Sequence, residues 1–205
     1  IDRSLVGSEM CIRDRVFKLL EENNIGWNFW THKKVDKITS PYSALVTPQY
    51  QVIIDYLRGA IAQPDPNIAG MGLTSFANSL KIENCITRPG VIASLTDPEY
   101  GEISKPYTTH SIPGTIPAAY YDIGARGLSY SDSDYWNDGD GGYNDGWVFR
   151  NDGVDVEGSD DDPNIPYTVG WTEAGEWLGY TIEDVSPGTY EAVSYTHLRA
   201  HETPI

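Results

Sequence analysis

Apolar positions recur at a helical period where the chain begins to look regular. Val16, Leu19 and Leu20 fall on one helix face ahead of the polar stretch EENN, which predicts a helix there. The aromatic run IGWNFW (25–30) follows and predicts a short buried strand. A helix, a tight loop and a strand in quick succession are typical of a parallel α/β sheet or barrel.

Two more helices are predicted further along. TSPYSALVTPQYQVIIDYLRG predicts a helix from about Gln49 to Arg58, with Gly59 placed to end it. NIAGMGLTSFANSLKIENC predicts another over about residues 67–82.

The pattern changes near residue 97. DPEYGEISKPYTTHSIP contains prolines and small polar residues without an apolar period, which predicts a linker. Beyond it come short alternating runs separated by Gly, Asp and Asn: GLSYSD, GWVFR, GVDVE, YTVGW, EWLGYTI and TYEAV. These runs are typical of an antiparallel β-sandwich. The chain is therefore expected to contain a first segment (16–96), a linker segment (97–112) and a second segment (113–192), with both domains incomplete.

Composition narrows the class of partner. The 205 residues include 14 Lys and Arg against 30 Asp and Glu, a formal net charge of −16. Nucleic acids and anionic membrane surfaces bind basic faces, so neither is an expected partner. Six Trp and fourteen Tyr supply many flat rings, which suit a neutral ligand with a C–H surface. No run is long and apolar enough to span a bilayer.

The two ends differ from the rest of the chain. SLVGSEMCIRDR, within residues 1–15, and VSYTHLRAHETP, within 193–205, resemble translated sequencing-adaptor DNA. His197 and His201 lie one helical turn apart, a spacing that suits zinc, but the adaptor interpretation takes precedence. We therefore expect an internal piece of a longer protein, flanked by residues foreign to it.

GWNFWTHKK and SPYSALVTPQYQVIIDY carry a family resemblance. Over residues 16–96 the chain resembles the C-terminal end of a glycoside hydrolase family 5 catalytic domain. The resemblance implies the tail of a (β/α)8 TIM barrel and hydrolysis of β-linked glycans with retention, by two Glu residues about 5 Å apart. It places IGWNFW at strand eight and both catalytic carboxylates upstream, so we expect no hydrolysis from this chain. We also expect poor folding, because an incomplete barrel leaves apolar faces uncovered and half a sandwich leaves open strand edges.

Trp27 is the candidate left from that active site. The resemblance implies that its indole forms a platform beneath the sugar next to the cleaved bond. Strand alternation puts Trp27 and Phe29 on one face and Asn28 and Trp30 on the other. Without the resemblance, the favoured interpretation is that both tryptophans are core residues of a buried strand.

The second segment carries another resemblance. IPGTIPAAYYDIGARGLSYSDSD, GVDVE and YTVGWTEAGEWLGYTI resemble the first part of a carbohydrate-binding module of family 6, a β-sandwich (jelly roll). The resemblance implies that Trp171 forms a wall of the loop-end sugar site and that Trp177 lies on a second, concave-face site. Glu157 matches an acidic residue that hydrogen-bonds sugar hydroxyls. The sequence also allows one hairpin with the two Trp rings at opposite edges, or core packing for both.

Calcium is an open question in the second segment. Members of the module family bind a structural Ca2+ through I-E-A-E, and this chain has Ile-Pro-Ala-Ala at 116–119. An acid-rich loop offers other oxygen ligands suited to calcium. These candidates are Asp132, Asp134, Asn137, Asp138 and Asp140. Because Asp and Asn also cap turns without a metal, both interpretations stay open.

These features together predict a fragment of a secreted polysaccharide-degrading glycoside hydrolase, cellulase-like and acting on a β-glucan or related glycan, with an attached carbohydrate-binding module. Its catalysis would require no cofactor. The alternatives are a carbohydrate-binding protein without catalysis and a structural β-sandwich whose tryptophans are all core residues.

Overall fold

The computed structural model describes residues 9–133, 149–150, 152–160 and 162–194, with side chains from residue 16 onward. The α-helices of these ranges are α1 (Glu9–Glu22), α2 (Pro48–Leu57), α3 (Pro66–Ser79) and α4 (Pro89–Thr96). The three helices predicted from periodicity are confirmed, although α3 ends three residues early. None of the helices in these ranges combines the length and apolar character needed to cross a bilayer.

Helix α2 shows how local sequence sets its limits. At its start, the Thr47 hydroxyl accepts a hydrogen bond from the Tyr50 N–H at 3.2 Å, a side-chain N-cap. At its end, Gly59 adopts φ +75° and the Ala60 N–H donates to the Asp55 carbonyl at 2.8 Å. This closing geometry is a Schellman motif, which the predicted Gly59 stop makes available at little steric cost.

Helices α2 and α3 form a close pair. Tyr50 stacks on Phe76 with ring centroids 4.1 Å apart and planes 7° apart. The backbones approach closely at Gly72, where an added Cβ would lie 2.6 Å from the Gln49 carbonyl oxygen. A residue without a side chain therefore permits this contact.

A small sheet accompanies these helices. Strands β1 (Lys33–Val35) and β2 (Tyr42–Ala44) pair in parallel, and β3 (Ile86–Thr87) pairs antiparallel with β2. The structure assigns no strand to residues 25–30, so the strand predicted at IGWNFW is wrong. A strand requires hydrogen bonds to a neighbour, and no described strand pairs with these residues. The barrel itself stays a prediction.

The later strands are short and pair in twos. They are β4 (His110–Ile112) with β9 (Ile182–Val185) in parallel, and two antiparallel pairs, β5 (Tyr130–Ser131) with β8 (Trp177–Leu178) and β6 (Val156–Gly158) with β7 (Tyr167–Val169). Strands are confirmed within GLSYSD, GVDVE, YTVGW and EWLGYTI. No strand is assigned to TYEAV, and most of GWVFR lies outside the described residues.

Strand β7 pairs with β6, and β8 pairs with β5. Because β7 and β8 have different partners, the predicted hairpin joining Trp171 and Trp177 is wrong. The complete sandwich stays a prediction.

The second segment has a compact core with a buried ion pair. The side chains at its centre are almost fully buried: Ala119, Tyr121, Tyr130, Val154 and Val156. Beside them, Arg150 Nε donates to Asp152 Oδ2 at 2.9 Å, and Tyr121 Oη donates to Asp152 Oδ1 at 2.5 Å. The Arg150 guanidinium also lies 3.7 Å from the centre of the Tyr121 ring. The Asp152 carboxylate and the Tyr121 ring thus stabilise the buried Arg150 charge, as a buried charge requires.

The linker segment contacts both of its neighbours. Its Tyr100 is 7% exposed and clusters with Val91 of α4 and Ile123 of the second segment. Lys105 and Ile123 exchange backbone hydrogen bonds of 2.9 and 2.7 Å. Residues 97–112 therefore pack against the helical part and the β part at once.

Candidate carbohydrate-binding site

Trp27 is held against helix α1. Its ring lies 4.1 Å from that of Phe17, with the planes inclined by 33°, and the side chain is half-buried. Phe29 meets the same Phe17 ring edge-on at 6.4 Å. Part of the Trp27 surface is thus used for packing, and its role as a sugar platform stays a prediction.

Trp30 is the freely presented ring of this region. It is 87% exposed, the highest value among the exposed large hydrophobic residues of the described chain. Trp27 and Phe29 are half-buried while Asn28 and Trp30 are exposed, so the predicted alternation of faces is confirmed without a paired strand. An indole this open can stack on a flat apolar ligand without rearrangement.

Trp171 lies just beyond strand β7 in a left-handed backbone conformation, with φ +46°, and is 45% exposed. The Gly170 N–H donates to the Asp155 carbonyl at 3.0 Å and anchors the strand end. Non-glycine residues rarely adopt such a φ, which costs about 1 kcal/mol or more. The hydrogen bond of Gly170 and the φ of Trp171 together fix the orientation of the Trp171 backbone at the end of β7.

A polar network fixes the turn that follows Trp171. The Ser133 hydroxyl contacts Glu176 Oε1 at 2.7 Å and Glu173 Oε2 at 2.9 Å, and the Ser133 N–H donates to Glu176 Oε1 at 2.8 Å. Glu176 Oε2 accepts from the Glu173 N–H at 2.7 Å. The two carboxylates are thus brought together between Trp171 and Trp177 along the chain.

The charge on Glu176 is favoured in this setting. Partial burial raises the pKa of a carboxyl group, but the N–H groups of Ser133 and Glu173, with the Ser133 hydroxyl, outweigh it and lower the pKa of Glu176. The carboxylate is therefore ionised at neutral pH and acts as a hydrogen-bond acceptor. Acceptors of this kind suit the hydroxyl groups of a sugar.

Trp177 begins strand β8 opposite Ser131 and is 43% exposed. Its neighbour Leu178 is half-buried against the core of the second segment, so the strand alternates an exposed ring with a packed side chain. This exposure is compatible with a sugar platform. Trp171 follows a strand of the β6–β7 pair, Trp177 belongs to the β5–β8 pair, and the turn between the two tryptophans carries the two carboxylates.

Glu157 belongs to strand β6. It pairs with Thr168 in the β6–β7 ladder and is half-buried. Trp171 is three residues beyond Thr168 along the chain, past the end of β7 at Val169. Among the described acidic residues, Glu173 and Glu176 are nearer in sequence to Trp171, and the predicted role of Glu157 stays a prediction.

The candidate calcium ligands fall mostly outside the described residues. Asp132 is described and buried, and its carbonyl accepts a hydrogen bond from Arg126 Nε at 2.9 Å. Asp134, Asn137, Asp138 and Asp140 lie outside, as do His197 and His201. Within the described ranges, no group of three or more His, Cys, Asp and Glu side chains is placed to hold a metal. Calcium binding in the second segment therefore stays a prediction.

Sequence reasoning missed four residues of this arrangement. Trp30 was assigned only to a strand face, and Ser133, Glu173 and Glu176 were not singled out. The signal for the acidic pair was present in TEAGE, because Glu residues three apart around a glycine turn can converge. Nothing in the sequence indicated that Ser133, forty residues earlier, would join them.

Comparisons of the chain with protein-family models, with curated proteins and with solved structures found no match.

Proposed function

We propose that the chain is the glycan-binding part of a secreted, polysaccharide-degrading glycoside hydrolase, an endo-β-glucanase of the cellulase type with an attached carbohydrate-binding module. The observation that carries the proposal is the exposure of Trp30, Trp171 and Trp177, at 87%, 45% and 43%. Large aromatic rings are ordinarily more buried than this unless they contact a partner.

The chemistry of a pyranose matches this surface. Its C–H face loses contact with water when it stacks on an indole, while its hydroxyls still need polar partners. Trp171 supplies the ring, and the Glu173 and Glu176 carboxylates supply acceptors in the adjoining turn. A neutral β-glucan fits best, because the formal charge of −16 disfavours an acidic polysaccharide.

Affinity electrophoresis in gels containing soluble β-glucan tests the proposal. We expect the chain to be retarded, and we expect Trp171→Ala and the double variant Glu173→Gln, Glu176→Gln to migrate more freely. Tyr56→Ala is the matched control, since Tyr56 is an exposed aromatic on α2, away from this turn. A folded chain that migrates equally in gels with and without glucan or xylan would contradict glycan binding.

Binding without catalysis is the second candidate. It is supported by the candidate residues themselves, which are rings and acceptors suited to holding a sugar. The encoding DNA upstream separates the two: an Asn-Glu pair ending one strand and a Glu ending a later strand would support the hydrolase, and their absence from a complete upstream domain would support a binding protein.

A further inference from the structure

A small cavity lies where the first segment meets the second. Its volume is about 40 Å³. It lies at the start of helix α4, and the lining groups that matter chemically are Arg88, Gly90, Val91, Arg150 and Asp152. Two guanidinium groups and one carboxylate therefore border it, a local charge of +1 in a strongly acidic chain.

Arg88 accounts for the excess charge. It is 8% exposed; its Nε donates to the Ser43 hydroxyl at 3.0 Å and its Nη1 to the Phe149 carbonyl at 3.1 Å. Both acceptors are neutral, and no carboxylate of the described residues forms an ion pair with Arg88. Arg150 differs, because Asp152 neutralises it at 2.9 Å.

A buried cation is costly when, as for Arg88, its partners among the described residues are neutral. Burial removes the guanidinium from water, and neutral acceptors return only part of the lost solvation. The same desolvation lowers the pKa of Arg88. An anion in the adjoining cavity would offset this cost directly.

The start of helix α4 adds donors to the same cavity. Arg88 is the N-cap residue, and its side chain makes no capping hydrogen bond. Gly90 and Val91 lie in the first turn, where backbone N–H groups have no acceptor within the helix and the helix dipole is positive. Both residues line the cavity, so buried positive charge and a helix N-terminus converge there.

We propose that this cavity binds one small monovalent anion, of the size of chloride or bromide, as the counter-ion of Arg88. A cavity that holds a water needs roughly 10–15 Å³, so the observed volume suits one small ion and excludes a sugar or a phosphate ester. Because Arg88 joins Ser43 of β2 to Phe149 of the second segment, the anion stabilises the junction between segments. The proposal does not depend on glycan binding.

Thermal unfolding at constant ionic strength tests it, with sodium isethionate replaced stepwise by sodium bromide. We expect the midpoint to rise and saturate, by about 5–10 °C once bromide reaches roughly 100 times its Kd. Arg88→Met should abolish the rise. Arg58→Met, at an exposed arginine, should retain it. An equal response in both variants, or a shift that never saturates, would overturn the proposal.

If Arg88→Met does not fold, anomalous diffraction from bromide-soaked crystals of the unmodified chain tests whether the cavity binds an anion. A bromine peak in the cavity beside Arg88 supports the proposal. A cavity holding water only, with bromide confined to the surface, would overturn it.

Discussion

The surroundings of a tryptophan ring decide whether it is free to contact a ligand, and this chain has a packed ring and an exposed ring three residues apart. Trp27 shares its ring face with Phe17, whereas Trp30 is 87% exposed. Stacking a sugar on an open indole removes roughly 80 Å² of apolar surface, worth about 2 kcal/mol. We therefore expect Trp30→Ala to weaken glucan binding about 30-fold, measured by isothermal titration.

Trp27→Ala is the matched comparison for that prediction. It should lower the midpoint of urea unfolding, because it removes a packed ring, and should weaken glucan binding less than Trp30→Ala does. If Trp27→Ala instead abolished binding without loss of stability, Trp27 would be the platform that the family resemblance implies.

Tyr180 gives a residue-scale prediction in alkali. Burial raises its pKa to about 12, and its hydroxyl donates to the Ala118 carbonyl at 2.8 Å. In the unfolded chain a tyrosine ionises near pH 10, so this residue stabilises the fold fully below pH 10 and loses that contribution as the pH rises toward 12. The unmodified chain should therefore lose about 1 kcal/mol more unfolding free energy between pH 8 and pH 11 than the Tyr180→Phe variant does.

Urea unfolding at the two pH values measures this difference. Tyr190→Phe serves as the control, because Tyr190 is 43% exposed. An alkaline loss of stability that is the same in the Tyr180→Phe variant and in the unmodified chain would contradict the assignment.

At the scale of the element, local signals explain what could be predicted. Gly59 ends α2 within one turn of the chain, as the sequence predicted, and α2 begins at Pro48, one residue before the predicted Gln49. The N-cap Thr47 also acts within one turn but was not singled out from the sequence. Strand pairing depends on distant residues. The sequence indicated a strand within EWLGYTI but not that Ser131 pairs with Trp177, and the hairpin that the sequence allowed between Trp171 and Trp177 does not form. The Ser133–Glu176 contact could not be predicted either, because it joins residues that are distant in the sequence.

Gly70 and Gly72 provide an element-scale test on a single helix. A Cβ at Gly72 would lie 2.6 Å from the Gln49 carbonyl oxygen, whereas at Gly70 nothing lies within 4 Å. We expect Gly72→Ala to force α2 and α3 apart and destabilise by about 1–3 kcal/mol. Gly70→Ala should stabilise by about 0.5–1 kcal/mol, because alanine loses less backbone entropy in a helix.

Chemical denaturation followed by circular dichroism distinguishes the two variants. Equal effects from both would show that the α2–α3 contact at Gly72 does not constrain the helix pair.

At the scale of the whole molecule, the pattern of apolar positions predicted the change from helices to strands but not how the two parts meet. Residues 97–112 have the prolines and polar residues of a linker, yet Tyr100 is buried between Val91 and Ile123. The apolar side chains of this segment recur without a helix or strand period, so the burial of Tyr100 becomes visible only in three dimensions. Arg88 was missed in the same way, because its burial depends on Phe149.

Tyr100 should therefore couple the helical part to the β part. The sequence alone predicted poor folding, whereas the contacts of Tyr100 lead us to expect that the unmodified chain unfolds in one transition. Amides of the α2–α3 pair and of the β6–β7 pair should then lose hydrogen-exchange protection at the same denaturant concentration. Tyr100→Ala should remove about 3 kcal/mol of packing free energy, so that the two pairs lose protection at different denaturant concentrations. Tyr56→Ala, at an exposed ring on α2, should leave the two concentrations equal. Separate losses already in the unmodified chain would mean that the contacts of Tyr100 do not join the two parts into one cooperative unit.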